Sequence, residues 1–160
     1  MKFYLIGIGT DEEFVENHKY IFKIAENTEN AIKEVKTELS DIDFHFDSIM
    51  EINFADGRKL KIQKEGKTSE TLYAVFIGYY LKGDPVEHHN ILFVVEHSPE
   101  SAMDKARQII KMLDAITPHV DMLKELKEID GWQIIPESSS RAEPNRMFYY
   151  DDIKRILERI

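Results

Sequence analysis

Tyr4-Leu5-Ile6-Gly7-Ile8-Gly9 is answered further along the chain by Tyr73-Ala74-Val75-Phe76-Ile77-Gly78. Each is a mostly apolar run ending at a glycine, the pattern of a strand covered on both faces. The same punctuation recurs around both runs. Glu16-Asn17-His18 is matched by Glu87-His88-His89. His45-Phe46-Asp47, followed by Asp56-Gly57, is matched by His119-Val120-Asp121, followed by Asp130-Gly131. Residues 1–65 and 71–138 therefore read as one unit written twice, with 139–160 left over as a linker and a C-terminal helix. A unit too small to bury much surface alone can be completed by its copy.

Each copy gives the order strand, strand, helix, strand, strand. In the first, an apolar strand over 2–9 leads to a second strand over 18–25, with Tyr20, Phe22 and Ile24 on one face. Helix starts are marked by Asn27-Thr28-Glu29 and by Ser98-Pro99-Glu100, each a capping side chain ahead of a first-turn acid. Ile32, Val35 and Leu39, and later Ala102, Ala106, Ile109, Ile110 and Leu113, recur at helical spacing. Alternation resumes from Phe44 to Phe54, broken only at Ile49. Both Asp-Gly pairs mark tight hairpins, because both residues tolerate positive φ. The expected fold class is α+β: two tandem ββαββ units, similar in order to a β-grasp or ubiquitin-like roll, packed pseudo-symmetrically. The tail adds a loop around Ser138 to Asn145. It ends in a short helix striped by Ile153, Ile156, Leu157 and Ile160, to be docked at the seam or on a neighbouring subunit.

Composition narrows the function. The 160 residues carry a formal net charge of -9, which argues against a nucleic-acid partner, since phosphate binding needs a basic surface. With no cysteine, disulfides, thiolate metal sites and cysteine nucleophiles are excluded. No apolar run approaches a membrane span, and Met1-Lys2-Phe3-Tyr4-Leu5-Ile6 reads as a strand rather than a signal peptide. A cytoplasmic location, with no membrane partner, is the expectation. Gly7-Ile8-Gly9 lacks the third glycine of a dinucleotide loop, Gly66-Lys67-Thr68 lacks the context of a phosphate loop, and no Gly-x-Ser-x-Gly elbow is present.

Chemistry, if any, rests with the repeated histidines and acids. His45 and Asp47, and likewise His119 and Asp121, fall two apart on expected strands and so on one face. His18 and His89 stand at strand entrances beside Glu16 and Glu87. Across a pseudo-twofold seam, His45, Asp47, His119 and Asp121 would supply imidazole and carboxylate donors for one divalent metal. The plainer reading makes the same residues hydrogen-bonded braces with no cofactor. His88 and His89, adjacent on one strand, point to opposite faces. Tyr79-Tyr80 and Tyr149-Tyr150 read as half-buried packing or a partner surface.

Glu-x-His entering an apolar strand, then His-x-Asp, then Asp-Gly, resembles the uncharacterised bacterial family called domain of unknown function 1543. Lys19 and Asn90 stand where that pattern would place an acid. The resemblance covers the chain up to about Ser138 and implies a fold and no established activity. The leading expectation is a non-enzymatic binding or assembly module that pairs with a protein partner or with itself through sheet edges. The alternative is a small metal-dependent enzyme, or a protein binding a metal or small ligand through the His-x-Asp pairs.

Overall fold

The first apolar run forms β1 (Lys2–Glu12), paired antiparallel with β2 (Val15–Ala25). The computed structural model describes the backbone at residues 1–12, 15–141 and 144–160. It describes side chains at the same positions except 11, 12, 15 and 16. Alternation along β1 sends Phe3 and Leu5 to one face and Tyr4, Ile6 and Ile8 to the other. Helix α1 (Thr28–Glu38) covers the second face with Ala31, Ile32 and Val35. Its start is fixed by the Asn27 side chain, which accepts the Asn30 N–H at 2.9 Å.

Strand β3 (His45–Glu51) returns along the other side of β1. Gly7 lies opposite Ser48 and Ile8 opposite Phe46, so Asp47 is the extra residue of a bulge. This explains the break at Ile49. The bulge shifts the alternation by one, so Phe46 and Ile49 both enter the helix-side core. The hairpin β4 (Phe54–Ala55) and β5 (Arg58–Gln63) turns through Asp56 and Gly57, at φ of 51° and 77°.

The second half runs in the same order: β6 (Thr71–Tyr80), β7 (Glu87–Glu96), α2 (Pro99–Ile110), β8 (Ile116–Glu125), β9 (Glu128–Ile129) and β10 (Trp132–Ser138). Its helix starts at Ser98, whose hydroxyl oxygen accepts the Ser101 N–H at 3.2 Å. Its second hairpin turns through Asp130 and Gly131, again at positive φ. The chain ends in β11 (Arg146–Tyr149) and α3 (Tyr150–Leu157).

The fold is α+β, with every strand pairing antiparallel. One sheet has the order β11-β3-β1-β2, a second β7-β6-β8, and a third β4-β5-β10-β9. Phe3, Leu5, Phe22 and Ile24 from the first sheet meet Leu72, Ala74 and Val95 from the second, with Leu60 and Ile134 of the third sheet in the same core. The outer faces are covered by α1 with α3 and by α2. No helix among the described residues is long and apolar enough to cross a membrane.

The third sheet departs from two self-contained ββαββ units. The last strand of each half leaves its own sheet, and β5 pairs with β10 across the halves. The aspartate of each hairpin turn then reaches the opposite half. Asp56 Oδ2 accepts the Val95 N–H and the Lys105 ammonium, both at 2.7 Å. Asp130 Oδ2 accepts the Ile24 N–H at 2.9 Å, and its Oδ1 lies 3.5 Å from the Lys23 ammonium. Lys23 is only 4% exposed. Burial acts to lower its pKa, but hydrogen bonds to Glu38 and Glu34 and the fields of Asp130 and Glu38 outweigh it, leaving the pKa raised.

The tail also differs from expectation. Arg146–Tyr149 lies within the stretch leading out of the expected loop, yet it adds a strand to β3. Helix α3 does not dock at the seam. It lies beside α1 on the outer face of the first sheet, with Ile153 buried next to Tyr4, Val35 and Ile49.

Candidate functional site

The inner faces of the two sheets grade from dry to wet. Along β2 they read Ile24, Phe22, Tyr20, His18, and along β7 Val95, Phe93, Ile91, His89. Phe22 meets Phe93 edge-on at 6.4 Å and Tyr20 meets Phe76 at 6.5 Å across the gap. Beyond these rings the apolar side chains give way to the histidines.

Register brings the histidines together in a way spacing along the chain does not. Gly9 on β1 pairs with His18 on one side and His45 on the other. Gly78 on β6 is flanked in the same way by His89 and His119. In each half a glycine is thus the floor between two histidines on three adjacent strands. At Gly78 the two side chains lean over the bare backbone: a Cβ there would lie 2.8 Å from His119 Nε2 and 2.9 Å from Glu87 Oε1, so those half-exposed groups would have to shift to admit one.

In the first half, Asp47, the bulge residue, bridges the pair: Oδ2 is 3.0 Å from His18 Nδ1 and Oδ1 is 3.1 Å from His45 Nε2. The side chain of Glu16 lies outside the described residues. In the second half, all four expected residues join one ring. His119 Nε2 lies 3.2 Å from Glu87 Oε1 and 3.1 Å from Asp121 Oδ1, while His89 Nε2 lies 3.6 Å from Glu87 Oε2 and 3.9 Å from Asp121 Oδ2. Among the described residues no ion pair or hydrogen bond joins the two clusters. His45 and Asp47 are thus paired with His18, and His119 and Asp121 with Glu87 and His89. Among the described residues no group of three or more His, Asp or Glu side chains is placed to hold a metal ion.

His119 is held from behind as well. Its Nδ1 lies 2.9 Å from the Thr117 carbonyl, which can only accept, so Nδ1 carries a proton. Thr117 presents that carbonyl from a left-handed conformation, φ 46°, which a β-branched residue rarely adopts. The hydrogen bond to Thr117 is the main cause that raises the His119 pKa above 6.5; desolvation opposes it, and Asp121 and Glu87 add to the rise and leave the pKa elevated. A raised folded pKa gives a contribution that is complete below the ordinary imidazole value and is lost as pH rises through the elevated one. The stability advantage of the native chain over His119→Gln is thus expected to be largest near about pH 6 and to shrink by about pH 8. Thermal melts across that range check it, and a difference that grows with pH contradicts the assignment.

The remaining histidines are placed apart from the rings. His88 points to the opposite face from His89, as expected, with Nε2 2.8 Å from Asp84 Oδ2 and its ring stacked on Tyr79. His97 Nδ1 lies 2.8 Å from the Ser69 carbonyl. Tyr79 and Tyr80 are half-buried, whereas Tyr149 and Tyr150 are exposed. The residues that sequence reasoning missed are the two floor glycines and Thr117. The glycines were in view as strand ends, and their position opposite two histidines emerges only from strand register.

No family model and no curated protein matches the chain. Among solved structures it is similar to the crystal structure of a protein Il1583 from Idiomarina loihiensis. The TM-score is 0.66 at 20% sequence identity, over 89% of this chain and 90% of that one. That likeness shows a shared fold.

Proposed function

We propose that the chain is a non-enzymatic binding and assembly module, built from a duplicated ββαββ unit of β-grasp-like order and akin to the family called domain of unknown function 1543. Its capture surface is the free edge of β8. One asymmetry carries this reading. Glu51, Met50, Ile49 and Ser48 on β3 are paired by Arg146, Met147, Phe148 and Tyr149 of β11. The corresponding stretch of β8, Met122 to Glu125, is the open edge of the order β7-β6-β8. An unpaired run of backbone N–H and C=O groups is a template for another strand.

The covered edge indicates what the open one accepts. Arg146 lies opposite Glu51, and the position matching Glu51 on β8 is Glu125. The partner strand accordingly carries a basic residue there. Exposed Leu113, Ile116 and Met122 supply apolar contact alongside. The partner is another protein or a second copy, in the cytoplasm, with neither nucleic acid nor membrane involved.

The chain is expected to self-associate in sedimentation equilibrium, or to bind a labelled peptide of residues 144–150 by adding it to β8. Glu125→Lys should weaken either process about fivefold, roughly 1 kcal/mol. His45→Ala with His119→Ala should leave it unchanged. Neither self-association nor peptide capture at high micromolar concentration would sink the reading.

A further inference from the structure

We propose that the cavity between the β5–β6 linker and β10 binds a phosphate monoester carried on a small apolar body. The site uses none of the β8 residues proposed for strand capture, and its failure leaves that reading intact.

The cavity has a volume of about 300 Å³, at the lower end of the range for small-molecule pockets. It lies where residues 64–70, the linker from β5 to β6, pass β10. The linker sits close to the sheet there. A Cβ at Gly66 would run into the Gln63 amide and lie 3.2 Å from Ile135 Cδ1. Lys67 and Thr68 line the cavity from the linker, Lys127 and Gln133 from the second half, and the buried Ile135 gives it an apolar wall.

The polar groups on this lining are donors without acceptors. Among the described residues neither the Lys67 nor the Lys127 ammonium has an ion-pair or hydrogen-bond partner, and the Gln133 amide has none. Thr68 Oγ1 accepts the Glu70 N–H at 3.1 Å, so its own proton is left to donate. No carboxylate lines the cavity, and Glu70 on the same linker gives both oxygens to Arg58, at 2.8 and 2.9 Å. The chain has a formal net charge of -9, and Lys2, Lys23, Lys61 and Lys105 each meet an acid. Two unmet ammonium groups on an acid-free cavity therefore select an anion. Their charge balances that of a phosphate monoester near neutral pH, and the hydroxyl and amide add hydrogen bonds to its oxygens. Free phosphate would leave much of the 300 Å³ unfilled, and an apolar substituent takes up the space against Ile135. Gly66-Lys67-Thr68 thus acts without the context of a phosphate loop, by combining with groups from the second half.

The test is an NMR titration of the isotope-labelled full chain at about pH 7.5, where phosphate monoesters are close to dianionic. Phenyl phosphate should move the amide signals of Thr68, Lys127 and Gln133 saturably, with a Kd of about 1 mM or tighter. Benzoate, with a single charge, and inorganic phosphate, with no apolar body, should each bind at least about fivefold more weakly. Lys67→Gln with Lys127→Gln, both at exposed positions, should weaken phenyl phosphate more than about tenfold while circular dichroism stays unchanged. Lys36→Gln with Lys154→Gln, an equal loss of charge on α1 and α3, should have no effect. The absence of a saturable shift at those three amides overturns the proposal. So does binding that survives the Lys67→Gln and Lys127→Gln pair, or benzoate or inorganic phosphate binding as tightly as phenyl phosphate.

Discussion

Asp130→Ala is expected to destabilise the protein by about 3 kcal/mol, read as a fall in Tm of roughly 6–12 °C for a chain of this size. Two effects combine. The Ile24 N–H loses its acceptor, at a cost of about 1–3 kcal/mol, and alanine must occupy the left-handed conformation that Asp130 holds at φ 52°, at about 1–2 kcal/mol. Lys23 keeps Glu34 and Glu38, so its ammonium is not stranded and the larger penalty of a broken buried pair does not arise. Asp130→Asn retains both an acceptor and tolerance of positive φ, and should cost about 1 kcal/mol or less. Equal losses for the two substitutions in denaturant melts would show that the turn does not act through this contact. Asp56→Ala, the reciprocal change, should cost a similar amount, because the Val95 N–H loses its acceptor and alanine must take the φ of 51° that Asp56 holds.

Ile153→Ala should cost about 3 kcal/mol, within the range for emptying a packed aliphatic position. Ile153 is 1% exposed and closes the outer core of the first sheet next to Tyr4, Ile6, Val35 and Ile49. An eight-residue helix holds little stability of its own, so its attachment depends on that side chain and on the strand before it. Ile156→Ala, at a partly buried position, should cost about 1 kcal/mol. Matching losses at the two positions would mean that α3 is anchored elsewhere. Hydrogen exchange should show the amides of β11 and α3 released together, ahead of β1 and β6.

What could be read from the chain alone was local. Asn27 and Ser98 named the helix starts because a cap acts on residues two or three positions away. Asp56-Gly57 and Asp130-Gly131 named the turns, because positive φ is a property of those residues themselves. The partners of the turns were invisible: a hairpin signal is the same whether its outer strand pairs at home or across to the other half, as β5 does with β10. The repeated histidines and acids marked the site residues but not their grouping. Spacing puts His119 and Asp121 on one strand, while only the register at Gly78 brings Glu87 and His89 to them. A four-residue strand such as β11 carries too few alternations to stand out.

The crossed pairing of β5 with β10 has a consequence for the order in which the molecule is made. While synthesis is still in the middle of the chain, the amide of Ile24 and the buried ammonium of Lys23 have no carboxylate from residue 130 to meet. The N-terminal portion leaves the ribosome as an unfinished piece and is completed only after nearly the whole polypeptide has emerged. Cutting the linker around Lys67 in the mature protein should accordingly yield two fragments that stay bound, whereas neither fragment expressed alone should reach the native state.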